Sequence, residues 1–85
     1  MTAGIPSDLL AWKQIISLFD EGKLRAKLKE MSQETLEFVA EEKNETVLVE
    51  SLIKTLREVD PEKANIEYAA QVVEMMRNIA LFILN

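Results

Sequence analysis

Asp60-Pro61-Glu62-Lys63-Ala64-Asn65-Ile66-Glu67-Tyr68-Ala69-Ala70-Gln71-Val72-Val73-Glu74-Met75-Met76-Arg77-Asn78-Ile79-Ala80-Leu81-Phe82-Ile83-Leu84-Asn85 is the stretch that decides the fold. Proline at a first helical position loses no hydrogen bond, because that amide has no partner in any case, and its φ is already helical. Asp60 before it can accept from the free amides of the first turn, and Glu62 suits the positive end of the helix dipole. The pattern therefore predicts a helix over 61–84, roughly 36 Å long at ~1.5 Å per residue. On a 3.6-residue wheel, Lys63, Glu67, Gln71, Glu74 and Asn78 share one narrow polar stripe. Ile66, Ala69, Ala70, Val72, Val73, Met76, Ile79, Ala80, Ile83 and Leu84 spread over the rest. That arc is wider than the ~100° of an ordinary surface helix, so this helix should be contacted from more than one side.

Near its end the polar stripe fails. Leu81 and Phe82 stand where Glu74 and Asn78 lead one to expect polar groups. Either this end plugs the protein's own core, or another chain completes the patch. Fully burying one such side chain is worth ~1.5–3 kcal/mol, so leaving two in water is a real loss for a small protein. The candidate interface is Tyr68, Leu81, Phe82 and Leu84, large apolar groups of the kind that mark contact sites. The apolar run 79–84 is far too short to span a bilayer.

Working towards the N-terminus, the pattern gives three more helices. One is expected over 45–59, with Asn44 as its cap and Leu48, Val49, Leu52, Ile53, Leu56 and Val59 as its core face. Glu50 and Lys54 stand in the favourable order for an i,i+4 pair. Pro61 ends this helix at or before Asp60. A longer helix is expected over 23–42, with a stripe of Leu24, Leu28, Met31, Thr35, Phe38 and Val39. Its charges run against the helix dipole: Lys23, Arg25, Lys27 and Lys29 come first, and Glu30, Glu34, Glu37, Glu41 and Glu42 follow. Two helices divided by a Ser32 cap would remove the conflict. One helix is preferred, because the stripe continues in phase through Ser32. The charges would then serve either as a solvated face or as a seam against an antiparallel copy. A first helix is expected over 8–20, capped by Ser7, with Leu9, Trp12, Ile15, Ile16 and Phe19 on one face. Gly22 should stop it in the left-handed conformation that glycine takes freely, so that valine there would be strained. Residues 1–6 read as a loose lead-in.

The fold class expected is all-α: a single domain forming a small antiparallel four-helix bundle, with the long C-terminal helix central and short connections. Eighty-five residues with two Gly, two Pro and 48% hydrophobic content suit it. A chain this short needs a tidy core or external support. The sequence has no Cys and no His, so disulfides and structural zinc are excluded, leaving helix packing or oligomerisation.

Function is read mostly by exclusion. Without His or Cys the commonest general base and the strongest nucleophile are missing, and there is no glycine-rich phosphate loop. A net charge of −5 argues against binding nucleic acid or an anionic membrane. The N-terminus has neither the basic region nor the apolar core of a signal peptide, so a cytoplasmic location is expected. On the predicted helix over 23–42, Glu34, Glu37 and Glu41 share a face at i, i+3, i+7, and oxygen clusters of this kind can hold Mg²⁺. Glu34-Thr35-Leu36-Glu37 resembles the first metal-binding pair of the all-α nucleotide pyrophosphohydrolases. The resemblance covers four residues, and the second pair is missing: Glu50 is followed by Ser51, Leu52 and Ile53 with no second acid.

The reading preferred is a non-enzymatic protein–protein interaction module, self-associating as a homodimer and using no cofactor or metal. The alternative is a small acidic inhibitor, such as an immunity protein, antitoxin or phage-encoded blocker. It would meet a basic protein surface with the acidic face Glu30, Glu34, Glu37, Glu41 and Glu42. A magnesium-dependent hydrolase is the distant third.

Overall fold

The computed structural model of the chain describes residues 21–85, all of whose regular structure is helical. Four α-helices run in order: α1 (Glu21–Lys29), α2 (Gln33–Ala40), α3 (Glu45–Val59) and α4 (Ile66–Leu84). Short 3-10 turns precede α3 (Glu42–Asn44) and α4 (Pro61–Lys63). The helix expected over 8–20, with Trp12, lies outside the described residues.

The protein is a small all-α bundle in which the long C-terminal helix is central. α4 packs against α1, α2 and α3. Its buried side chains, Ala69, Val72, Val73, Met76, Ile79 and Ala80, merge with Leu24 and Leu28 of α1, Leu36 and Val39 of α2, and Leu48, Leu52 and Leu56 of α3. The wide apolar arc of α4 is thus explained by three neighbours, each covering part of it. α3 and α4 run antiparallel. The Asp60–Asn65 turn joins one pair of ends, and Arg77 bridges to Glu45 at 3.3 Å near the other.

The segment expected as one helix over 23–42 is two helices. α1 closes tightly, with the amides of Glu30 and Met31 donating to the carbonyls of Lys27 and Leu28 at 3.1 Å. Ser32 then turns extended (φ −67°, ψ 157°), and its hydroxyl oxygen accepts from the Thr35 amide at 3.2 Å, capping α2. The Thr35 side chain is buried, and its hydroxyl lies 2.9 Å from that of Ser32. Met31 is buried from within the break, which is why the stripe keeps phase although the helix does not. Division also eases the charge anomaly. Lys27 and Lys29 now sit in the last turn of α1, and Glu34 in the first turn of α2, where each dipole favours them. Ser32→Ala should therefore cost about 1–2 kcal/mol, for it removes both a cap and a partner of a buried hydroxyl. Thermal unfolding followed by circular dichroism should show a fall of roughly 4–8 °C per kcal/mol.

Gly22 is a second correction. It is the second residue of α1, and no described glycine has positive φ. Valine there would meet no left-handed strain. Because Gly22 is exposed and helical, Gly22→Ala should instead stabilise by about 0.5–1 kcal/mol through helix propensity, measurable as a higher urea midpoint.

The start of α4 is a third correction. Pro61 opens the 3-10 turn, Ala64 leaves the helical region (ψ 65°), and the true cap is Asn65, whose side-chain oxygen accepts from the Tyr68 amide at 2.8 Å. Asp60 makes no side-chain cap; its amide closes α3 onto Leu56 at 2.7 Å. α3 spans the residues expected. Asn44 holds its N-cap position, but its side-chain Nδ2 donates back to the Phe38 carbonyl at 2.9 Å, tying the turn to α2 instead.

Candidate functional site

The outward stripe of α4 is polar for most of its length: Glu67, Gln71, Glu74 and Asn78 are all exposed. One turn beyond Asn78 the pattern breaks. Leu81 is 44% exposed and Phe82 66% exposed, side by side on the last turn. The inner face of the same turn remains engaged, for Ile83 and Leu84 pack against the core. With Ile79, Ala80, Ile83 and Leu84 turned inward, the helical period puts Leu81 and Phe82 on the opposite side of the turn. The Arg25 guanidinium of α1 lies 5.4 Å from the Phe82 ring centroid, close enough for a cation–π contact. Arg25, Glu74, Met75, Asn78 and Ile79 join Phe82 around an open groove of about 500 Å³.

Of the four residues expected at an interface, Leu81 and Phe82 are adjacent and exposed, and Leu84 is half-buried beside them. Tyr68 is not part of this patch. It sits in the first turn of α4, fourteen residues before Phe82, or ~21 Å along the helix. There it packs against the core, with the Lys63 ammonium 5.5 Å from its ring centroid.

The five acids expected on one helical face are all exposed but are carried by different pieces of backbone. Glu30 belongs to the turn after α1, Glu34 and Glu37 to α2, Glu41 to an extended residue (φ −80°, ψ 124°), and Glu42 to the next turn. Glu37 accepts from Gln33 at 3.2 Å, and Glu41 pairs with Lys43 at 3.4 Å. Glu41 no longer continues the i, i+3, i+7 row, because the helix ends before it. Among the described residues no group of three acids is placed to hold a metal ion.

Exposed apolar residues that the sequence reading placed in the core appear at the other end of the molecule. Val59 is 47% exposed at the end of α3, and Ile66 is 70% exposed at the start of α4. The signal for Ile66 was present: recognising Asn65 as the cap puts Ile66 at the first helical position, with no preceding turn to pack on. The fold and surface thus define a small helical bundle with exposed apolar residues near both ends of α4. No protein-family profile, curated protein or solved structure matches the chain.

Proposed function

We propose that the chain is a non-enzymatic protein–protein interaction module that pairs with a second copy of itself through the C-terminal turn of α4, and that it does so in the cytoplasm without cofactor or metal. The supporting observation is the adjacency of Leu81 and Phe82, both exposed, at the end of a helix whose other exposed positions, apart from Ile66 at its start, are polar. Contiguous exposed apolar groups with a polar border are the usual mark of a contact surface. Among the described residues no helix is long and apolar enough to cross a membrane.

Light scattering after size exclusion, at low and at high salt, tests the reading. A dimer at both salts is expected, because apolar burial is not screened. A monomer at both would overturn the proposal. A dimer lost at high salt would move the interface to the charged surfaces of α1 and α2. The acidic-inhibitor reading keeps one supporting observation, the exposure of Glu30, Glu34, Glu37, Glu41 and Glu42. It predicts binding that weakens steeply with salt.

A further inference from the structure

A second groove, of about 550 Å³, lies between α3 and the start of α4. Its apolar lining comes from Val49 and Ile53 on one helix and Ile66 and Ala70 on the other. Each pair is spaced i,i+4, so each stands on one face of its helix. Two such rows leave a trough into which a third helix can lay apolar side chains of the same spacing. Ile66 is 70% exposed, while Val49, Ile53 and Ala70 are part-buried.

The charged lining is of one sign: Glu42, Glu45 and Glu50, with no Lys or Arg. Glu45 is engaged by Arg77 at 3.3 Å. Glu50 has the i,i+4 spacing for a pair with Lys54, but no ion pair forms between them. An acidic partner would be repelled here, and a wholly apolar one would desolvate the carboxylates without compensation. A helix with an apolar face flanked by Lys or Arg meets both requirements. The chain's own basic helix is not available for this, because Leu24 and Leu28 commit α1 to the core.

We propose that the α3–α4 groove docks a basic amphipathic helix of another protein, its apolar side chains on Val49, Ile53, Ile66 and Ala70 and its cations beside Glu42 and Glu50. The site is independent of the self-association surface at the far end of α4.

The probe is a fluorescein-labelled synthetic amphipathic helix of Leu and Lys, with a sister peptide carrying Glu in place of Lys. Binding to the full chain is read by anisotropy at low and high salt. The Leu/Lys peptide should bind, and the Leu/Glu peptide should not. Glu42→Gln with Glu50→Gln should weaken binding about three- to tenfold and flatten its salt dependence. Ile66→Ser should weaken it about five- to tenfold and leave the salt dependence unchanged. Glu30→Gln with Glu34→Gln removes the same charge outside the groove and should change nothing. These positions are exposed, so unchanged helicity by circular dichroism is expected for every variant. No binding of the Leu/Lys peptide, insensitivity to Ile66→Ser, or equal weakening by the two Gln pairs would overturn the proposal.

Discussion

Leu52→Ala should remove about 3–5 kcal/mol of stability, the largest loss we expect from any single change in the described core. Leu52 is fully buried at the middle of α3, within the cluster that joins all four helices. Truncation removes three carbons' worth of buried surface and leaves a cavity that rigid helical neighbours can close only in part. For a domain of this size total stability is about 4–13 kcal/mol, and the sequence has no cysteine to supply a cross-link. The loss should therefore approach half of the whole and bring the urea midpoint down in proportion. Val59→Ala is the matched control. Val59 lies on the same helix and on the same face by sequence pattern, but it is 47% exposed beyond the edge of the core, so it should cost about 0.5 kcal/mol or less. Equal losses at the two positions would mean that α3 does not pack as described.

The same contrast shows what the residues made legible. The bounds of α3 could be read because independent signals agreed: a polar lead-in at one end, Asp60-Pro61 at the other, and three turns of Leu between them. The break between α1 and α2 was harder, because two signals disagreed. The apolar stripe argued for one helix; the reversed charges and Ser32 argued for two. The charges were the better guide. A buried residue in a turn, here Met31, can preserve a hydrophobic phase across a break. A dipole conflict over nine charges has no such excuse.

Two candidate caps likewise competed at α4. Asp60-Pro61 has the stronger sequence signature, yet proline's fixed φ suits a 3-10 turn equally well. Asn65 wins because its side chain makes the bond to the Tyr68 amide. The exposure of Leu81 and Phe82 was half visible, as a failure of the polar stripe. Whether the bundle would cover them depended on how α1 crosses α4, a tertiary fact that no local pattern encodes.

Leu81→Ser with Phe82→Ser should weaken self-association about a hundred- to thousandfold while leaving helicity nearly intact. A two-fold interface uses each substituted residue twice, so four apolar side chains leave it at once. Each is worth up to ~1.5–3 kcal/mol when fully buried, but both are already part-covered. Roughly 3–4 kcal/mol of association is thus at stake, and each ~1.4 kcal/mol is a factor of ten. Serine costs about half a kcal/mol per site in helix propensity at most, and less in a final turn that frays. The decisive comparison is between two readouts of one variant. If a second copy covers the patch, the dimer–monomer midpoint in sedimentation equilibrium moves and the stability of the isolated monomer does not fall. If the chain covers the patch itself, stability falls and there is no association to lose. Val59→Ser with Ile66→Ser, at the opposite end of the bundle, should leave the midpoint where it was. A shift there instead would place the self-association surface at the α3–α4 end and dismiss the last turn of α4 as the interface.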